Sequence, residues 1–285
     1  MGSPSHPFPS PGYAAPLVEA LLDDALDHGC RVYALAGLQG TGKSTLAGQL
    51  VAAAAARGLR AVALSIDDFY LDRPQRQALG RDVHPLLTTR GPPGTHEVAL
   101  ACEVLDGLRD GRTVALPRFD KIADVRLPQA DWPRAGGVDL VVFEGWFQKV
   151  PPQDATALHE PVNALEHDED PDGVWRTYCN AALADAYPPL WQRLDRLTFL
   201  QGPGFEVVSD WRWQQEQTLQ AQHPDRRTMT RPQVLRFIQL FERVSRHALQ
   251  TLPTIADSTI ALDARRTPLG VTGALSTRLA PTIPA

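Results

Sequence analysis

The octapeptide GLQGTGKS at residues 37–44 sets three glycines ahead of a lysine and a serine, in the pattern G-x-x-x-x-G-K-[ST]. Those residue types at that spacing cradle the phosphates of a nucleoside triphosphate. Gly37, Gly40 and Gly42 free the backbone, with Thr41 between them, so that several N–H groups turn toward phosphate oxygens. A helix opening at Lys43 adds the partial positive charge of its N-terminus. Lys43 is then placed to reach the β- and γ-phosphates, Ser44 to ligate Mg²⁺ and Thr45 to touch a phosphate.

Two further stretches place carboxylates where phosphoryl transfer needs them. In VDLVVFEGW an apolar run leads straight into Glu144. An acid at such a strand end holds a water of the Mg²⁺ shell. In SIDDFYLD, residues 65–72, two acids sit side by side and two aromatics follow. Transfer to a hydroxyl needs an acid that takes or orients the acceptor's proton. In open α/β sheets that acid belongs at the carboxyl end of a strand beside the glycine loop. Asp67 is there, with Asp68 next to it as a supporting or acceptor-touching group. Phe69 and Tyr70 anchor the turn, and Tyr70 lines the acceptor pocket.

The elements that must carry these groups are readable from periodicity and punctuation. Residues 15–28 show helical spacing and stop at Gly29. RVYALAG is a short apolar strand feeding the glycine loop. Residues 43–57 are helical with Gly58 beyond the end, and 60–65 form a second strand. Strand, loop, helix, strand is a βαβ unit and implies a parallel sheet. Prolines 74, 85, 92 and 93 predict a long loop over 74–95, and Thr95 is expected to cap a helix running through Arg109, with Glu97 in its first turn. Strands are expected at 113–119, 138–143, 196–200 and 258–262, and helices near 174–193, 205–222 and 231–250. The proline- and acid-rich stretch 151–173 predicts a surface excursion, and residues 1–13 a flexible tail.

The segments GLQGTGKST, SIDDFYL, RGPPGTH, PRFDK and FEGWF occur in an order and spacing that resemble the glycerate 3-kinase family. That family belongs with uridine kinase, phosphoribulokinase and bacterial pantothenate kinase among P-loop small-molecule kinases. The resemblance runs from about residue 31 to 215 and weakens after about residue 222. It implies an α/β fold, a P-loop NTPase three-layer sandwich with a mostly parallel central sheet and a helical lid. The domain is expected to span 14–285 with the lid at about 203–230. It also implies ATP and Mg²⁺, with D-glycerate as the acceptor. By position, Asp67 matches the base of uridine kinase's Asp-Ser-Phe-Tyr and Asp68 takes the serine's place. The metal set is then Ser44, Glu144 and Asp67, and the catalytic set Lys43, Asp67 and Arg212. Arg212, in SDWRWQQE, resembles a lid arginine that closes on the transferring group, with Trp211 and Trp213 as packing anchors.

A glycerate acceptor would bring a carboxylate, which arginine grips bidentately. Arg90 or Arg118 is the candidate clamp, and His96 a candidate partner for a hydroxyl. In PRFDK, alternation sends Arg118 and Asp120 to one side, where they pair with each other or face the substrate, with Lys121 adjacent. Two alternatives stay open: a kinase for a nucleoside or pantothenate-like acceptor, and a non-catalytic nucleotide-binding regulator.

Composition narrows the partners. A net charge of −5 gives no broad basic surface for nucleic acid or acidic membrane. Cys30, Cys102 and Cys179 lie far apart in no metal-binding spacing, as expected of reduced thiols in a cytoplasmic protein. The N-terminal MGSPSHPFPSPGY has no apolar core of a signal peptide, and no run approaches the about 18 apolar residues of a membrane span. No N-K-x-D guanine-reading motif occurs. The partner expected is a small-molecule substrate.

Overall fold

Strand β1 (Val32–Gly37) is buried along its whole length, because its side chains alternate between two apolar layers. Val32, Ala34 and Ala36 join one core, and Tyr33 and Leu35 the other. Strand β3 (Leu140–Gly145) repeats this, with Val141 and Phe143 on the first face and Leu140 and Val142 on the second. Strands buried on both faces belong to a parallel sheet covered by helices on each side.

The computed structural model describes residues 12–222 and 228–279. With β2 (Ala61–Ser65), β4 (Arg196–Gln201), β5 (Ser258–Leu262) and β6 (Pro268–Gly273), it forms a six-stranded sheet in the order β6-β5-β4-β1-β3-β2. All neighbours run parallel except β6, which is antiparallel to β5. Helices α1 (Ala15–Asp27) and α2 (Lys43–Ala56) cover one face. Helices α4 (Val98–Arg109), α5 (Val174–Asp185) and α7 (Arg231–Ile255) cover the other. Helix α6 (Val207–Gln222) caps a third, smaller core with Leu38, Trp211 and Ile238. This is the expected three-layer sandwich. Of the expected lid, residues 223–227 lie outside the described residues, as do residues 1–11 of the expected tail.

Several local expectations need correction. Tyr13, expected in the flexible tail, is buried instead, and its hydroxyl donates to the Thr41 carbonyl at 2.6 Å. The 74–95 loop contains helix α3 (Arg73–Asp82) and a 3₁₀ turn, Pro85–Thr88. Pro74 starts α3 instead of breaking it, since a first-turn proline loses no hydrogen bond. Asp72 and Gln75 complete a capping box there. Helix α4 starts later than expected, with Glu97 at its N-cap, because Thr95 Oγ1 donates to the Pro92 carbonyl and so serves the preceding turn.

The strand expected at 113–119 is not in the sheet. Val114–Ala115 pairs with Arg134–Ala135, and Phe119–Asp120 with Val125–Arg126, in two small antiparallel ladders. The 151–173 excursion is tied into the protein by buried ion pairs. Glu166 meets Arg243 at 2.7 Å and Asp170 meets Arg176 at 3.1 Å. Its acids are therefore partners for arginines on α7 and α5, which acid-rich composition alone does not reveal.

Candidate active site

The glycine loop joins β1 to α2, with Gly40 and Gly42 at φ of 87° and 91°. Only glycine takes that conformation without strain. Gly37 has no such angle; a Cβ there would lie 2.8 Å from the Leu200 carbonyl oxygen, so glycine serves close packing against β4. A Cβ on Gly40 would come within 2.7 Å of Trp211 Cβ, which brings α6 down onto the loop. The Trp211 indole donates to the Ala264 carbonyl at 2.8 Å, as an anchor should. Thr41 is buried and its hydroxyl donates to the Leu38 carbonyl at 2.9 Å, bracing the loop from inside.

Lys43 Nζ donates to the Gly37 and Leu38 carbonyls at 2.8 and 2.9 Å. Burial lowers its pKa, while Glu144 and Asp67 push it back up. Ser44 Oγ donates to Glu144 Oε1 at 2.9 Å. Glu144 ends β3, in register with Leu35 of β1 and Ser65 of β2. The strand between the glycine loop and SIDDFY therefore carries the third acid, and β2 is one strand removed from β1.

Asp67 opens the turn after β2, where Ser65 Oγ accepts its N–H at 3.3 Å. Its Oδ2 accepts from Lys121 Nζ at 2.7 Å, and its Oδ1 is buried with no partner of normal hydrogen-bond geometry among the described residues, although the Tyr70 hydroxyl lies close to the carboxylate. Burial would raise the Asp67 carboxyl, but the Lys121 ammonium, with the Tyr70 hydroxyl, holds it well below the usual carboxylate range. Asp68 differs. Burial raises it despite Arg118, which donates to its Oδ2 at 3.3 Å. The adjacent acids thus have different partners and opposite shifts, which separates their roles.

Tyr70 is buried between His96, at a ring separation of 4.8 Å, and Phe119, edge-on at 5.1 Å. Burial and the nearby Asp67 raise its phenol well above the ordinary value. His96 Nδ1 lies 2.7 Å from the Tyr187 hydroxyl, and burial lowers the imidazole to about 4. The sequence reading of Arg90 as a carboxylate clamp meets a competing use. Its guanidinium donates to Asp124 Oδ1 at 2.5 Å and to the Lys121 carbonyl at 2.8 Å. Asp120 does not pair with Arg118; its Oδ1 accepts the N–H groups of Ile122 and Ala123 at 2.8 and 2.9 Å. It is a turn cap, a role that a short Asx motif predicts and strand alternation does not.

Arg212 lies on α6 beside the site and responds to the charges of Arg90 and Asp67. It pairs with Glu216 at 2.6 Å and lies 5.6 Å from the Phe237 ring, while its Nε has no partner among the described residues. Burial lowers its pKa from the ordinary arginine value. Sequence reasoning missed Arg266, whose Nε donates to the Gly40 carbonyl at 2.5 Å, and Gln148, wholly buried just past Glu144. Arg266 gives no local signal, being 226 residues from the loop it holds.

The cluster brings together Lys43, Lys121 and Arg118 with Asp67, Asp68 and Glu144, so its charges balance and the neighbouring acids are tolerated. An anion cradle faces a carboxylate with a bare oxygen. Ser44 and Glu144 offer oxygen ligands at this corner, the chemistry that suits Mg²⁺, which usually takes one or two protein ligands beside water and phosphate.

No family model matches the chain. Among curated proteins it is 31% identical over 200 residues to the uncharacterized kinase mug58 of Schizosaccharomyces pombe, covering 67% of this chain and 71% of that one. Over 103 residues it is 34% identical to a Saccharomyces cerevisiae protein named as probable ATP-dependent kinase TDA10, covering 29% of this chain and 32% of that one. The fold matches a solved D-glycerate 3-kinase from Cryptococcus neoformans var. grubii with a TM-score of 0.76 at 24% identity, over 92% of this chain and all (100%) of that one. Among the described residues, no helix is long and apolar enough to cross a membrane.

Proposed function

The chain belongs to the glycerate 3-kinase family of P-loop kinases and is an ATP-dependent small-molecule kinase, and on that premise we propose that it phosphorylates the 3-hydroxyl of D-glycerate. The observation that carries the reading is Asp67. It is an ionised carboxylate at the carboxyl end of β2, with one oxygen that has no partner of normal geometry among the described residues, and it interacts electrostatically with Lys43 of the phosphate cradle.

In the proposed reaction the backbone N–H groups of Gly40 to Thr45, with Lys43, hold the triphosphate. Asp67 Oδ1 accepts the acceptor's proton as its oxygen bonds to the γ-phosphorus. The bond from that phosphorus to the bridging oxygen breaks, and its electron pair leaves on ADP. Lys43, Lys121 and Arg212 offset the charge that spreads over the transferring oxygens. Mg²⁺, held by Ser44 with Glu144 and Asp67 close by, would supply charge neutralisation at the phosphates. Tyr70 and Asp68 shape the acceptor side, and Arg90, Arg118 and Asp120 hold that wall in place.

We take residues 14–285 as one kinase domain with 203–230 as its lid, working in the cytoplasm. The last point is supported by three buried free cysteines, the usual state of thiols in a reducing compartment. The test is ADP release with D-glycerate, glycerol, uridine and pantothenate as acceptors. Turnover with D-glycerate well above the others is expected. Turnover with uridine or pantothenate but not glycerate would refute the acceptor assignment, and none with any acceptor would refute phosphoryl transfer.

A further inference from the structure

Gln148 is wholly buried, and neither its Nε2 nor its Oε1 meets a hydrogen-bond partner among the described residues. Its side chain folds back over the end of β3: a Cβ on Gly145 would stand 1.9 Å from Gln148 Nε2 and 2.6 Å from its Oε1. The residue after Glu144 therefore has to be glycine for this amide to lie where it does. A buried carboxamide without partners is costly, and buried polar side chains are nearly always satisfied. An amide left bare at the end of the strand that carries Glu144 points to a ligand as its partner.

His96 offers a second bare group, packed against the residue that precedes Gln148. Its ring lies 5.6 Å from that of Phe147, the neighbour of Gln148, and 4.8 Å from that of Tyr70. The Tyr187 hydroxyl accepts the Gly94 N–H at 3.0 Å and lies 2.7 Å from His96 Nδ1. Tyr187 is fully buried and Nδ1 is the one acceptor in reach of its hydroxyl among the described residues, so its proton goes there. The neutral imidazole then carries its hydrogen on Nε2. That Nε2–H is buried and has no partner among the described residues. Burial keeps the ring neutral at pH 7, its pKa lowered to about 4.

The arginines first expected to grip an acceptor carboxylate are engaged elsewhere, Arg90 by Asp124 and Arg118 by Asp68. We propose that Gln148 and His96 form the subsite for the non-reacting carboxylate of a small hydroxy acid. The carboxylate accepts from Gln148 Nε2–H and His96 Nε2–H, and Gln148 Oε1 accepts from the hydroxyl beside it. Hydrogen bonds to an ionised acceptor are about twice as strong as neutral ones, so uncharged donors suffice where Lys43 and Lys121 already supply positive charge. This subsite rests on the kinase reading above and narrows its acceptor to acids.

Isothermal titration of D-glycerate and of glycerol into the protein loaded with a non-hydrolysable ATP analogue tests it without turnover. Gln148→Leu should weaken D-glycerate by about tenfold or more, with analogue affinity kept within about twofold. Its melting temperature should hold or rise, since an unsatisfied amide is removed. Gln148→Glu, of the same shape but charged, should abolish D-glycerate binding and leave glycerol unchanged. D-Glycerate affinity within about twofold of wild type in Gln148→Leu, or no D-glycerate binding to wild type, overturns the subsite. Wild-type binding without turnover would refute the proposed reaction and leave the subsite standing.

Discussion

Lys121→Met is the most informative single change, because the contact from Lys121 Nζ to Asp67 Oδ2 at 2.7 Å is the largest of the interactions that keep this half-buried acid ionised, ahead of Tyr70 and His96. At that separation Coulomb attraction is about 1.5 kcal/mol in a water-like dielectric and about 6 kcal/mol at an effective value of about 20. Lys121 is 55% exposed and Asp67 24%, so screening holds the pair near the lower figure. At about 1.4 kcal/mol per unit, that corresponds to a rise of about 1–2 units in the Asp67 pKa. Burial, then unopposed by this cation, pushes the same way. The sign is clear. A base must be deprotonated to act, so raising its pKa moves the acidic limb of log kcat/KM toward neutral pH. The assay is ADP release under saturating ATP, from pH 9 down to the lowest pH at which the fold persists, because the wild-type limb lies below the usual carboxylate range. The limb should shift up by about 1–2 pH units while the plateau falls less than at low pH. In Asp67→Asn, activity should fall by about 10²-fold or more at every pH, with ATP affinity nearly unchanged. An unmoved limb in Lys121→Met, or a greater loss in Asp68→Asn than in Asp67→Asn, would refute Asp67 as the ionised base.

Other outcomes follow from the geometry. Gly40→Ala forces a Cβ to within 2.7 Å of Trp211 at a φ of 87°, so ATP affinity should drop by about tenfold or more, with about 1–3 kcal/mol of stability lost, read by nucleotide titration and urea melts. His96 titrates at about 4 when folded against 6.5 when free, so the unfolded chain binds more protons between those values and stability falls as pH drops through that window. Its share is about 2 kcal/mol between pH 7 and 5, and His96→Asn should remove that part of the slope in urea unfolding. Arg243→Met strands the buried Glu166 carboxylate without its cation and should cost about 3–5 kcal/mol, measured as a shifted urea midpoint.

The likeness between this chain and the Schizosaccharomyces pombe kinase is strong enough to assign a family, while the surroundings of Asp67 are built from residues whose neighbours come from far along the chain. His96 takes its tautomer from Tyr187, 91 residues away, and Lys121 reaches Asp67 across 54.

What the chain order alone determined was whatever depends on near neighbours. The glycine loop, the helix opening at Lys43 and the strands that end at Ser65 and Gly145 all follow from local backbone freedom and apolar runs. Those features placed Lys43, Ser44, Asp67 and Glu144 at one edge of one sheet. Their misreadings were local too: prolines read as breakers where Pro74 opens a helix, and an acid-rich stretch read as surface where Glu166 and Asp170 are buried. Only the tertiary structure decided which charge meets which. Strand order put Glu144 between the glycine loop and Asp67, and the small ladder Phe119–Asp120 with Val125–Arg126 delivered Lys121 to Asp67 and Arg118 to Asp68. Ion pairs between distant residues are set by how the layers stack, and no periodicity in the chain records that.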